Sequence, residues 1–152
     1  MTADQHRRVL VVDDDQNVRT MLGTLLRHRG LIVDEAADGK IALDLLRENR
    51  YAVILLDLLM PVADGFAVLR GFGTEGVQAP PVVLVLTGAD RATIDQLDSQ
   101  HIHGVVRKPF DPEELASLVV ACSEVRSRGN METMAMAVIS GAPLLVWLNR
   151  FS

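Results

Sequence analysis

The chain has 152 residues, 49% hydrophobic and 23% charged, which suffices for one well-buried domain with a short appendage and is too little for two full domains. A balance of 20 acidic against 15 basic residues gives a formal charge of −5, which argues against direct nucleic-acid binding, because phosphate contacts need clustered Lys and Arg. The single cysteine, Cys122, excludes an internal disulfide and any Cys-cluster metal site, fits a reducing cytoplasm, and by its apolar neighbours is expected to be a core thiol.

The N-terminal stretch Met1 to Arg8 is polar and runs straight into a strand, without the apolar core of a secretory signal. Val9 to Val12 form the first strand, which ends on Asp13-Asp14. A helix over Asp15 to Arg29 carries Val18, Leu22, Leu25 and Leu26 on one stripe and stops at Gly30. The second strand, Leu31 to Glu35, is charged, and the helix Gly39 to Asn49 after it aligns Ile41, Leu45 and Leu46. The third strand, Ala52 to Leu56, is wholly apolar and closes on Asp57, a carboxylate expected to face solvent from a buried strand. Leu58-Leu59-Met60-Pro61 and Asp64-Gly65 then lead into a short helix to about Phe72, with Phe66 and Leu69 aligned, and a Gly-rich loop ending in Pro80-Pro81.

Val82 to Leu86 form the fourth strand, which ends on Thr87. The helix predicted over Arg91 to Gln100 offers only Ile94 and Leu97 for burial, so few apolar contacts hold it and it is the helix expected to move most readily. The pair His101 and His103 has no acidic or cysteine partner and reads as a solvated loop rather than a metal pair, and His28 reads as a cation at a helix end. The fifth strand, Gly104 to Arg107, runs into Lys108-Pro109-Phe110. A last helix comes next, with Asp111 as N-cap, Pro112 at the first helical position, Glu114 three residues past the cap, and Leu115, Leu118, Val119 and Cys122 facing inward.

Short β-branched runs alternating with segments of helical period are the pattern of βαβ units around a parallel sheet. The first, third and fourth strands, apolar throughout, suit the centre, and the charged second and fifth suit the edges. If the strands are parallel neighbours, Asp13, Asp14, Asp57, Thr87 and Lys108 meet at one sheet edge. Three crowded carboxylates repel unless a divalent cation neutralises them, and oxygen-only ligands favour Mg²⁺. The site reads as a metal-assisted phosphoryl acceptor.

With these residues in place, the chain from Val9 to Val125 resembles a response-regulator receiver domain of two-component signalling, the CheY-like superfamily. The resemblance rests on four motifs in order: the Asp pair after a strand, Asp-Leu-Leu-Met-Pro-(x)₂-Asp-Gly, Leu-Thr-Gly-Ala and Lys-Pro-Phe. Each is weak alone and together they are a strong signal. The resemblance implies a flavodoxin-like α/β fold, a doubly wound five-stranded parallel sheet of order 2-1-3-4-5, of which receiver proteins are a standing example, with ligands at the carboxyl ends of the strands.

By the same resemblance Asp57 is the phosphoacceptor. Asp14, Asp57 and the Leu59 backbone carbonyl ligate Mg²⁺, with Asp13 helping through a water, and Asp15 is only the next loop residue. Thr87 and Lys108 hold phosphoryl oxygens, Ala89 lies near the loop that moves with Thr87, and the Lys108-Pro109 bond is expected to be cis. The implied donor is a sensor histidine kinase or phosphotransfer protein that meets the first helix and the Lys108-Pro109-Phe110 loop. The output is a change of affinity for a downstream protein target, with the fourth helix, fifth strand and fifth helix as output and homodimer face. Such a cytoplasmic domain gains and loses its own phosphoryl group and is not a turnover enzyme.

Two departures stand out. The family often has Tyr or Phe three residues before the lysine, where this chain has Val105, so the ring that swings with the threonine is missing. Positions that often orient a hydrolytic water are Leu59 and Ala89, neither able to hydrogen-bond through its side chain, which implies slow loss of the phosphoryl group.

The division expected is a receiver over residues 1–126 and a linker with an apolar tail over 127–152. Met134 to Leu148 falls short of the ~20 apolar residues of a membrane span and is interrupted by Ser140-Gly141 and Pro143. Its apolar face has several destinations open to it: docking on the receiver, a dimer contact, a partner helix or the start of an output domain, with self-association or docking ranked first. Two other functions compete. A haloacid-dehalogenase-like phosphatase would need an acid/base where Leu59 stands, and a receiver-shaped module that is never phosphorylated should have a degenerate acidic site.

Overall fold

The computed structural model describes residues 2–60, 65–72, 81–88, 90–95, 101–127 and 145–146. In chain order the elements are α1 (Ala3–His6), β1 (Arg8–Val12), α2 (Gln16–His28), β2 (Ile32–Ala36), α3 (Gly39–Glu48) and β3 (Val53–Asp57). Beyond them lie α4 (Gly65–Gly71), β4 (Val82–Thr87), α5 (Arg91–Asp95), β5 (Gly104–Arg107), α6 (Pro112–Ser127) and β6 (Leu145–Val146). The described strands form one sheet of order β2-β1-β3-β4-β5-β6. The five parallel strands have the predicted 2-1-3-4-5 order, and β6 adds to the β5 edge antiparallel.

Alternation along each strand divides the core between the two faces of the sheet. Val9, Val11, Leu55 and Leu84 point to one side, where Leu22 and Leu26 of α2 and Leu115 and Val119 of α6 cover them. Leu10, Val12, Ile54 and Leu56 point to the other, against Ala42 and Leu46 of α3 and Val68 of α4. Every residue of β3 and β4 is buried, which explains why these runs are apolar without interruption. Cys122 lies in the α6 layer, where burial pushes its thiol up to about 12.

Local signals set most boundaries. Asp38 caps α3 by accepting the Ile41 N–H at 2.9 Å, and Asp111 caps α6 by accepting those of Glu113 and Glu114 at 2.8 and 3.2 Å. Gly30, with φ of 84°, takes the left-handed turn that ends α2. Several expectations need correction. The polar N-terminus folds into α1 behind a Thr2 capping box before β1 begins. In α3 the inward position belongs to Ala42 rather than Ile41, which is 42% exposed. Ser127, expected to open the linker, still belongs to α6. Of the weakly held helix, the backbone of α5 is described, while Ile94's side chain and Leu97 lie outside the described residues, as do Trp147 and the tail methionines. Among the described residues no helix is long and apolar enough to cross a membrane.

One glycine controls how the helical layer meets the site. Gly65 opens α4, its N–H donates to the Leu58 carbonyl at 3.1 Å, and a Cβ there would collide with the Asp57 carbonyl and lie 2.7 Å from Leu58 Cα. Both obstacles are backbone of the strand that carries Asp57, so neither can rotate away. Gly65→Ala is expected to cost about 1–3 kcal/mol through forced displacement. In urea unfolding this appears as a lower midpoint with an unchanged slope. An unchanged midpoint would show that α4 shifts freely.

Candidate functional site

Strand register assembles the site. Val12 pairs with Leu56, so the next residues, Asp13 and Asp57, emerge side by side at the carboxyl ends of β1 and β3. Asp57 pairs with Leu86, which places Thr87 one step further along β4. Thr87 pairs with Arg107, and the Lys108 N–H donates to the Thr87 carbonyl at 2.9 Å, so the lysine leaves β5 at the same edge. The chain goes from β1 outward to β2 and then returns across β1 to β3, and ligands of such sheets bind where that reversal opens a crevice.

The side chains converge. Lys108 Nζ lies 2.9 Å from Asp13 Oδ2 and 3.5 Å from Asp57 Oδ2. The other Asp57 oxygen accepts the Leu59 N–H at 3.0 Å, and Asp13 Oδ1 accepts the Asp15 N–H at 2.9 Å. One oxygen from each of Asp13, Asp14 and Asp57 lies within 4.8 Å of the others. Asp13 and Thr87 are fully buried and Asp14 is exposed. Asp57 is only 4% exposed, which corrects the expectation of a solvent-facing carboxylate: its two oxygens turn to the Leu59 N–H and the Lys108 ammonium. Leu59 stands at the rim, 56% exposed.

Burial pushes the Asp57 carboxyl above the usual carboxylate range; the Leu59 N–H and the Lys108 charge oppose this, and the Asp13 charge adds to it. Burial alone would lower Lys108, but the hydrogen bond and charge of Asp13, with Asp57 behind them, more than offset it, so its pKa is raised and it stays a cation. The two directions look contradictory for one ion pair. They agree once distances are weighed: the ammonium serves chiefly Asp13, leaving Asp57 buried beside a like charge. Three carboxylates against one ammonium, all oxygen donors with two of the acids buried, suit a small hard divalent cation.

Two supports of this site are not apparent in the motifs. Asp15 is the N-cap of α2 rather than a plain loop residue, its carboxylate accepting the Asn17 and Val18 N–H groups at 2.8 and 3.4 Å. An Asp just ahead of an apolar helical stripe is the signal that could have found it. Arg19 donates to the Asp13 carbonyl at 2.7 Å from the first turns of α2 and lies 3.8 Å from Glu35, for which sequence offers no signal.

His101 and His103 lie in the predicted loop and are half-buried: His103 Nδ1 accepts the Val83 N–H at 2.9 Å, and His101 meets Phe72 edge to face. They sit at the amino ends of β4 and β5, away from the acids. Val105 is fully buried in the α3–α4 side of the core. The Lys108-Pro109 bond is cis, and Ala89 lies outside the described residues.

Residues 9–120 match the response regulator receiver domain family. The transcriptional regulatory protein SrrA of Staphylococcus aureus is 34% identical over 113 residues, covering 74% of this chain and 46% of the relative, so the chain spans about half the length of the curated relatives it matches. Among solved structures, the signal receiver domain of a response regulator from Bermanella marisrubri has 32% identity and a TM-score of 0.69 over 76% of this chain and 97% of that one. The response regulator TrrA of Thermotoga maritima, solved with Mg²⁺ and BeF, has 28% identity and a TM-score of 0.66 over 76% and 98%. The Francisella response regulator 1452 receiver domain has 29% identity and a TM-score of 0.68 over 82% and 99%. With its sheet order, its cluster of strand-end acids and these matches, the chain belongs to the receiver-domain family of two-component response regulators.

Proposed function

We propose that this domain accepts a phosphoryl group on Asp57 from a phosphohistidine of a sensor histidine kinase or phosphotransfer protein, and that the modified domain changes its affinity for a downstream protein. The observation that carries the reading is the buried Asp57 beside Asp13 and Asp14, with Lys108 reaching both buried acids. An Asp57 carboxylate oxygen attacks phosphorus. The O–P bond forms as the N–P bond breaks, and the electron pair of the broken bond returns to the donor imidazole.

Asp13, Asp14 and Asp57, with the Leu59 backbone carbonyl, would hold Mg²⁺, which supplies charge neutralisation for the phosphoryl oxygens. Lys108, a cation fixed 3.5 Å from Asp57 Oδ2, is placed to hold one oxygen of the product, and the Thr87 hydroxyl another. The family match supports this reading over the phosphatase. In this proposal residues 1–126 are the signalling unit, acting in the cytoplasm, and residues 127–152 are a docking or dimerisation segment. Homodimers would form through the tail or the α5, β5 and α6 face. The SrrA relatives are named transcriptional regulatory proteins, and any DNA binding by this protein would require a linked domain.

Intact-protein mass spectrometry after incubation with acetyl phosphate should show one added phosphoryl group in the parent with Mg²⁺. None is expected with chelator or in Asp57→Asn. No adduct under any of these conditions would shift the reading to an interaction module that works unphosphorylated.

Leu59, exposed at the rim, offers no group to orient an attacking water. The aspartyl phosphate should therefore be long-lived, and Leu59→Asn should shorten its lifetime about tenfold or more, within the range a positioned polar group contributes. A lifetime unchanged or lengthened in this variant would remove the explanation.

Electrostatics gives a third test. Since burial raises the folded-state pKa of Asp57, its protonated form is favoured on folding, and the stability this confers is lost as pH rises through that pKa. With chelator at neutral pH, Asp57→Asn should therefore have the higher Tm, and the difference should vanish below the ordinary carboxylate value of 3.8. Adding Mg²⁺ should reverse the order by stabilising the parent, by about 2.7 kcal/mol at a hundredfold excess over Kd.

A further inference from the structure

An outer strand of a sheet leaves a row of N–H and C=O groups open to any strand that can pair with it. On the β5 side that row is not bare. Leu145–Val146 lies antiparallel along it, with Val146 opposite Val105 and Leu145 opposite Val106. The direction of the β5 amides can be read from the inner side: the Lys108 N–H donates to the Thr87 carbonyl at 2.9 Å, and Thr87 pairs with Arg107 and Val85 with Val105, so the amides of Val106 and Lys108 point toward β4. With a period of two, the amides of Val105 and Arg107 point outward, which makes Val105 and Val146 the pair that exchanges both hydrogen bonds.

We propose that the outer edge of β5 is a strand-addition site and that its resident occupant is this chain's own segment Leu145–Val146. The tether permits it: α6 ends at Ser127, and the stretch 128–144 can span up to roughly 3.3–3.6 Å per residue. Occupancy also has a natural limit. Among the described residues the pairing is two residues long, so few hydrogen bonds hold that stretch and a longer competing strand can displace it.

The location makes displacement consequential, because Val105 and Val106 stand just before Arg107 and Lys108 in the same strand. A partner strand that adds to β5 must first remove the tail, so the tail acts as an internal competitor for this surface. The inference holds whether or not Asp57 accepts a phosphoryl group, since it concerns only backbone pairing at the sheet edge.

The test uses the full chain in solution. Amide hydrogen exchange read by NMR should show Val105 protected in the parent, and at least about tenfold faster exchange in Val146→Pro, which deletes the donor facing β5. Val146→Ile, which keeps the backbone donor, should exchange like the parent, and amides of Leu55 and Val85 in the central strands should be unchanged in both variants. Equal exchange at Val105 in parent and Val146→Pro would overturn the proposal. A mixture of differently isotope-labelled chains identifies the occupant: contacts between residues 105 and 146 confined to one chain support it. Contacts found only between chains would make a second copy the occupant and overturn the assignment in cis.

Discussion

Asp13 and Asp57 are buried side by side at the ends of adjacent strands, and the surrounding structure is arranged around their mutual repulsion. Burying one carboxylate costs several kcal/mol unless it is paired and hydrogen-bonded, and burying two together costs more. The compensation comes from four directions: the Lys108 ammonium, the Asp15 and Leu59 N–H groups, and the cap that holds the start of α2 in place. It falls unequally. Asp13 receives the nearer contact with the ammonium, and Asp57 is left as the group whose charge is least well offset. A carboxylate poised in this way gains most from an added cation, and that is the physical link between the acid cluster and the role proposed for Asp57.

The same arrangement explains why the scaffold is so apolar behind the site. β3 and β4 are buried along their entire length and packed on both faces, so Asp57 and Thr87 are held by segments with little freedom. Gly65 brings the start of α4 against the backbone of Asp57 and Leu58 themselves, which couples the position of that helix to the strand that carries Asp57. Arg19 performs a comparable task from the other side, joining α2 to the Asp13 carbonyl. The site is thus fixed from both helical layers, while Leu59 and Asp14 remain exposed at its rim.

The β5 side is built differently. Where relatives of this kind often place an aromatic ring, Val105 fills the α3–α4 side of the core and leaves no side chain able to swing between pocket and solvent. What this side has instead is a backbone partner, β6, paired along the strand that ends in Lys108. If a change at Thr87 or Lys108 is to be felt at the surface, β5 offers a route through its own backbone and its edge pairing rather than through a rotating ring.

Local chemistry made much of this legible. Apolar runs, helix caps at Asp38 and Asp111 and the stop at Gly30 depend on neighbours a few residues away, so the five parallel strands and most helix limits could be read directly, as could the identity of the acids, threonine and lysine gathered at one edge. The division into central and edge strands was written in which runs are apolar on both faces, and the composition of the site in the residues that close each strand. How that composition is used came only with folding in three dimensions. Packing set the depth at which Asp57 is buried, the unequal sharing of Lys108, the inward turn of Ala42 in place of Ile41, the partners of Arg19 and His103, and the return of Leu145–Val146 to the β5 edge. Each of these depends on the distance between groups far apart in the chain, and that distance exists only after the strands have taken their register and the helices have closed over them.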